Sequence, residues 1–446
     1  MTAAIKEKFP PQIKYIIGNE GCERFSFYGM RTILTVFMVQ TLLIAETNAT
    51  AIYHIFVAAC YLMPLFGAYL ADRYFGKYKV ILWLSIVYCF GHGVIAAFET
   101  EMGLYVGLGL IAVGSGGIKP CVSAYVGDQF RPDQTKLIQK VYNLFYWIIN
   151  CGSATSTLLT PWLLKAYGPS VAFGIPGVLM LIATIIFWAG RNKYVNAPPT
   201  GQNPNSVPRV LISAFQNRKP NVAFLDGAKK NHSDEAIEGV KSVFAIMKIF
   251  IIAVPVFWAL FDQHGSTWVH QARQMYPEFL GLTIQPSQIQ ALNPFMVMGL
   301  IPIFVFGVYP FVNKFYNFTA LRRMGWGMGI AAFSFAQVGV IQYILDGGTQ
   351  LNIAWQFFPY LTITIAEVMI SITGLEFAYT QAPKSMKSTI MSFWLLTTFL
   401  GNVYVAFVAK INVFEGGNFF MFFAALMLFV AFVFAWMAKS YKMKEA

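Results

Sequence analysis

Apolar runs long enough to cross a bilayer recur along this chain. They fall at roughly 15–44, 50–71, 79–98, 102–126, 140–163, 171–190, 243–263, 289–313, 325–345, 354–380, 388–410 and 418–438. A helix crosses the hydrocarbon core in about 20 residues. Each run therefore predicts one span, and together they predict an all-α integral membrane protein with twelve transmembrane helices. The one long polar stretch, 191–242, divides the runs six and six. This predicts an N-terminal six-helix bundle over 1–190, a cytoplasmic linker over 191–242 and a C-terminal six-helix bundle over 243–446. Equal halves around a basic linker suggest two bundles rocking about a central site. Inside the linker, PPTGQNPNSVP and NRKPN read as loop. VPRVLISAFQ reads equally as a short amphipathic helix on the inner leaflet or as plain flexible chain.

Composition agrees with this pattern. The 446 residues are 57% hydrophobic and only 12% charged, which excludes an ordinary soluble domain. The charge distribution sets orientation. With the N-terminus inside, 25 of the 32 Lys and Arg fall in cytoplasmic segments, and only Lys165, Arg273 and Lys410 fall outside. Positive loops stay on the cytoplasmic side. The expectation is a multi-pass protein of the cell (inner) membrane with both termini cytoplasmic. The net charge of +12 then follows from topology, and no nucleic-acid partner is implied. The polar start MTAAIKEKFPPQIK does not resemble a cleavable signal, so the first run is read as a retained helix.

Little points to an enzyme or a cofactor. Cys22, Cys60, Cys89, Cys121 and Cys151 lie in apolar runs without metal-ligand spacing and read as free thiols. The chain offers no Ser/His/Asp set and no metal-spaced His/Cys cluster. GLGLIAVGSGG lies within a span rather than after a strand, so it reads as glycine packing between helices, not a nucleotide loop.

The informative residues are charges inside spans. Gly18–Arg31 carries Glu20, Glu23, Arg24 and Arg31. At about 100° per residue all four share one helix face. Each would cost roughly 2.5–3.5 kcal/mol or more facing lipid at mid-bilayer, so that face looks into protein or a wet cavity. Lys119 sits deep in span 4 beside Pro120, Asp262 ends span 7, and Glu367 is flanked by apolar residues in span 10. Glu376, nine residues on, projects roughly opposite Glu367 and is given only a packing role. Lys248 lies near the cytoplasmic end of its span. The first half is net positive and the second net negative, a polarity that fits a zwitterion: carboxylate toward Arg31 and Lys119, ammonium toward Glu367. Paired carboxylates whose proton affinity depends on partner engagement are what proton coupling requires.

Specific motifs carry a resemblance. GAYLADRYFGKYK between spans 2 and 3 resembles the cytoplasmic loop motif of the major facilitator superfamily, with Gly67 permitting close helix approach. Glu20-Gly-Cys-Glu23-Arg24-Phe25-Ser26-Phe27-Tyr28-Gly29 resembles the ExxERFxYYG signature of the proton-coupled oligopeptide transporters. Gly116-Gly-Ile-Lys119-Pro120, Phe257 to Gln263, and Phe358 through Glu367 to Phe377 match the same family, and Tyr53 to Leu62 is similar to span 2 of the animal peptide carriers.

The resemblance implies a major facilitator fold and a proton-coupled symporter importing di- and tripeptides by alternating access, functional as a monomer, with protons as the coupling ion. It implies that Arg31 and Lys119 hold the peptide carboxylate side and Glu367 the ammonium. Asn150 and Asn293 would bond the peptide backbone and amine, and Tyr28, Tyr61, Trp258 and Trp394 would line the cavity. Arg31–Asp262 and Lys119–Glu367 would be gating salt bridges. Glu20, Glu23 and Arg24 would handle the proton, with His54 as helper. Phe27 departs from the signature by replacing a tyrosine. The competing readings are the same scaffold carrying nitrate or a drug-like anion, and a non-transporting membrane sensor.

Overall fold

A computed structural model of the chain describes residues 9–131, 134–199, 201, 204–218, 223–381 and 386–441. Lys6, Lys8, Lys219, Lys384, Lys442 and Lys444, which enter the charge tally, lie outside the described residues. The first half contains α1 (Ile13–Gln40), α2 (Glu46–Leu70), α3 (Lys77–Ala97), α4 (Glu101–Asp128), α5 (Thr135–Tyr167) and α6 (Pro169–Ala189). The linker holds α7 (Val207–Gln216). Then come α8 (Asp234–Phe261), α9 (Thr267–Gln274), α10 (Leu292–Pro302), α11 (Tyr309–Asn313) and α12 (Ala320–Asp346). The last are α13 (Phe357–Glu367), α14 (Thr373–Gln381), α15 (Lys387–Ile411) and α16 (Gly416–Ser440).

Local chemistry places several ends. Thr100 accepts a hydrogen bond from Gly103 N at 3.1 Å to cap α4. Ser233 does the same for α8, with Asp234 and Glu235 in the first turn facing the positive end of the helix dipole. Gly168, at φ +82, turns the chain from α5 into Pro169 at the start of α6.

Among the described residues, ten helical segments are long and apolar enough to cross a membrane. α1 and α5 complete the twelve expected spans. α1 misses that measure because Glu23, Arg24 and Arg31 sit in it, and α5 because Asn150, Ser153, Thr155, Ser156, Thr157 and Thr160 dilute its apolar residues. The protein is an all-α integral membrane protein with the twelve helices of the major facilitator fold.

Several spans are not regular. α8 passes through a 3₁₀ turn, Asp262–Gly265, into α9, making a helical path of 41 residues where the apolar run suggested 21. α2 ends in a π turn, Ala71–Phe75. α10 and α11 are joined by a π turn, Ile303–Val308, and α13 and α14 by another, Val368–Ile372. The linker is helical where two readings were open. Val207, Val210, Ser213 and Ala214 are buried along one side of α7, while Ile212 and Phe215 are exposed. Asn231 Nδ2 donates to Ser213 Oγ at 3.0 Å from beyond the following 3₁₀ turn.

The chain forms two compact units. The first comprises residues 1–201, 264–298 and 350–354, and the second 202–263, 299–349 and 355–446. In the first, α3 packs on α4 and α6, and α1 packs on α5 and α6. Its core includes Ile33, Leu34, Ile81, Ile111, Phe173 and Met180, all fully buried. Close packing rather than water exclusion holds helices together in lipid, and glycines set the approach. A Cβ on Gly67 of α2 would collide with the Gly117 backbone of α4. One on Gly116 would come within 2.8 Å of the Cys60 carbonyl. Gly107, Gly114, Gly116 and Gly117 of span 4 are thus packing residues, while Gly109 faces open space. In the second unit α12 packs along α16 and against α13, and α8 along α15.

Candidate substrate and proton site

The first unit carries a buried ion cluster on α1. Arg24 Nε lies 3.0 Å from Glu20 Oε1, one turn away, and its terminal nitrogen pairs with Glu23. The three side chains are 5%, 9% and 1% exposed. The Glu23 carboxylate meets Arg24 by charge proximity without hydrogen-bond alignment. Two carboxylates thus share one guanidinium in a buried setting. Removing one partner of a buried pair costs about 3–5 kcal/mol, so this cluster is a unit.

Around it the cations are held by aromatic rings. Lys119 Nζ lies 4.5 Å from the Tyr61 ring and 5.5 Å from Phe27. Arg24 lies 5.9 Å from the same Phe27 ring. A phenyl face attracts cations without needing a hydroxyl, so the departure from the signature at Phe27 keeps this contact. Tyr28 is half-buried and packs edge-on against Phe27. Arg31, two turns beyond Arg24, is buried. Its Nε donates to the Tyr53 hydroxyl at 2.6 Å.

His54 is fully buried, and its Nε2 lies 2.8 Å from Ser266 Oγ. Thr35 donates to the Gly265 carbonyl and Gln290 to the Thr32 carbonyl, both at 3.3 Å. A Cβ on Gly265 would run into the Tyr53 hydroxyl. Arg273 pairs with Glu46 at 2.8 Å. Asn150 is nearly buried and donates to the Tyr146 carbonyl at 2.8 Å. Asn293, in the first turn of α10, is half-buried.

The second unit carries Asp262 and Glu367. Asp262 is buried where α8 gives way to the 3₁₀ turn, and Asn402 of α15 donates to its Oδ2 at 2.7 Å. Glu367, half-buried, is the last residue of α13 before the π turn. Such turns often mark functional positions. Trp258 and Trp394 are both buried and meet edge-on, 6.5 Å between centroids.

Of the expected residues, the structure brings together Glu20, Glu23 and Arg24, then Lys119 with Tyr61, and Trp258 with Trp394. Sequence reasoning passed over Tyr53, Ser266 and Asn402, which hold Arg31, His54 and Asp262. It also passed over His92, fully buried on α3, whose Nε2 lies 3.1 Å from Ser26 Oγ. Ser26 donates to the Pro176 carbonyl, so its oxygen is left to accept from His92. Ser26 stands inside the quoted signature, and that was the available signal.

The POT family model matches residues 78–413. Solute carrier family 15 member 2 of Mus musculus is 37% identical over 393 residues, covering 82% of this chain and 54% of that relative. Peptide transporter family 1 of Drosophila melanogaster is 40% identical over 348 residues, covering 73% of this chain and 47% of that relative. The chain spans about half the length of these curated relatives. Among solved structures, the POT family transporter PepTSo superposes with a TM-score of 0.94 at 41% identity, over 98% of this chain and 100% of that one. An auto-inhibited POT family peptide transporter gives 0.92 at 39% identity over 98% of both chains. A family match over most of the chain, with one fold shared end to end, makes this protein a member of the POT family.

Proposed function

We propose that the chain is a proton-coupled symporter that imports di- and tripeptides by alternating access, and not an enzyme. The carrying observation is the α1 cluster: two buried carboxylates share one arginine, with Lys119 beside it against Phe27, so one carboxylate can take up a proton while Arg24 keeps the other as partner. The Drosophila melanogaster relative is itself named a peptide transporter.

In this reading Arg31 and Lys119 hold the peptide carboxylate side and Glu367 its ammonium. Asn150 and Asn293 bond the backbone and amine, and Tyr28, Tyr61, Trp258 and Trp394 form the walls. The Arg31–Asp262 bridge breaks when Asp262 is protonated, with His54 or Glu20 and Glu23 relaying, and it reforms after the halves rock. Lys119 and Glu367 alternate as the second pair. Release of the proton from the α1 cluster frees the peptide inward. The drive is about 2.3 kcal/mol per charge per 100 mV, with about 1.4 kcal/mol more per pH unit. The working form is a monomer in the inner membrane with both termini cytoplasmic, coupled to protons alone.

Proteoliposomes test this directly. Dipeptide added outside should acidify the interior, and Glu367→Gln should abolish uptake of peptides with free N-termini. Normal uptake by that variant overturns the ammonium assignment. Competition by nitrate but not by dipeptide would overturn the substrate class.

A further inference from the structure

In the second unit, α12 and α16 run past each other and leave a cavity of ≈ 670 Å³ at the end where α12 starts and α16 finishes. Its chemistry is divided along its length. At the helix ends it is polar and basic: Asn317, Thr319, Arg322 and Lys439, flanked by Tyr316 and Tyr441. Further along it is apolar: Trp326, Leu428, Ala431, Phe432 and Ala435 over a floor of Gly325 and Gly329. Trp326 is 61% exposed and Phe432 69%. A Cβ at Gly329 would meet nothing within 4 Å, so the floor is open.

The start of α12 lacks the usual compensation for its dipole. The first N–H groups of a helix are unsatisfied and carry partial positive charge. Thr319 makes no side-chain cap there, and no acidic residue lies in the first turn. Instead Arg322 and Arg323 add positive charge to the positive end. Arg323 turns inward over the Tyr309 ring at 4.1 Å. Arg322 stays exposed at the cavity mouth, stacks over Tyr316 at 4.7 Å and donates to the Asn317 carbonyl at 2.6 Å. Lys439, exposed in the last turn of α16, faces the same cavity. A basic mouth with a free helix start wants an anion, and the apolar floor wants hydrocarbon chains.

We propose that this cavity is a binding site for one anionic phospholipid, its phosphate between Arg322, Lys439 and the start of α12, its acyl chains along Gly325 and Gly329. Basic pockets between membrane helices recognise anionic headgroups in this way. The site rests on the reading that these helix ends lie at the inner leaflet, and the cavity holds enough volume for a headgroup and the upper part of its chains.

The test measures binding without peptide, so it stands or falls separately from the transport assignment. Detergent-purified protein is titrated with phosphatidylglycerol and, separately, phosphatidylcholine, and bound lipid is counted by native mass spectrometry. Phosphatidylglycerol should be retained at one copy in preference to phosphatidylcholine. Arg322→Gln with Lys439→Gln should weaken that retention about thirtyfold, and Arg322→Lys should keep most of it. Gly329→Leu, whose Cβ meets nothing within 4 Å, should block the floor and lose the lipid with the charges intact. Equal retention of both lipids, or retention unchanged in these variants, overturns the proposal. So does a dimer in place of the lipid adduct that Gly329→Leu disperses, since a second copy would then cover the face. A melting shift with glycerol phosphate alone equal to that with phosphatidylglycerol overturns the role of the chains.

Discussion

The charged face of α1 and the carboxylates of the second unit solve the same problem in opposite ways. On α1, Glu20, Glu23 and Arg24 lie on one regular helix, and the two carboxylates share the one guanidinium at helical spacing. In the second unit, Asp262 and Glu367 each sit where a helix loses its regularity. Asp262 takes an amide from Asn402, 140 residues away. Regular geometry lets a helix carry its own counter-charges. Irregular geometry turns a carboxylate toward partners on other elements, which can be exchanged. The first arrangement suits a fixed proton reservoir, and the second suits a group that changes partner.

That contrast can be broken experimentally. The largest effect should come from Arg24→Gln, which leaves Glu20 and Glu23 without their shared cation and should cost about 3–5 kcal/mol, read as a large fall in melting temperature. Adding Glu20→Gln and Glu23→Gln should recover most of it, as the loss of paired charge need not destabilise. Next, Gly67→Val should force α2 off the Gly117 backbone; overpacking of this kind costs about 1–3 kcal/mol, visible as reduced monodisperse yield and melting temperature. Asn402→Leu should remove the amide donor to Asp262 at about 1–3 kcal/mol, with the α1 variants and this one adding independently because they touch separate networks. If Asn402→Leu proves as costly as Arg24→Gln, the distinction between a fixed and an exchangeable site fails. The smallest change is at the turn between the two short strands Glu278–Phe279 and Leu282–Thr283, where Leu280 is held at φ +50 and is exposed. Leu280→Gly should stabilise by about 1 kcal/mol, or a small rise in melting temperature.

The same contrast explains what the sequence could tell. The α1 cluster was legible because helical spacing alone brings its members together. The twelve spans were legible because hydrocarbon thickness imposes their length. The packing glycines of span 4 were legible because a nucleotide loop needs a preceding strand. Ser266 and Asn402 were not legible, since both reach partners across long chain separations that no local period encodes. α9 was missed for a related reason. Its sequence, TWVHQARQ, lies beyond the apolar run, yet Trp268, Val269 and Gln271 are buried. Polar residues buried by tertiary packing look like loop to any hydropathy argument. The π turn after Glu367 leaves no trace in composition.

The interlocked backbones at Gly67 and Gly117 have a mechanical result. Lys119 stands two residues past Gly117, so its backbone is tethered to a joint with no side chains to give way. α2 and α4 must therefore travel as one beam, carrying Tyr61 and Lys119 with them at fixed spacing. Whatever anion that lysine greets is reached by its four-carbon stem alone, because the backbone beneath it does not yield.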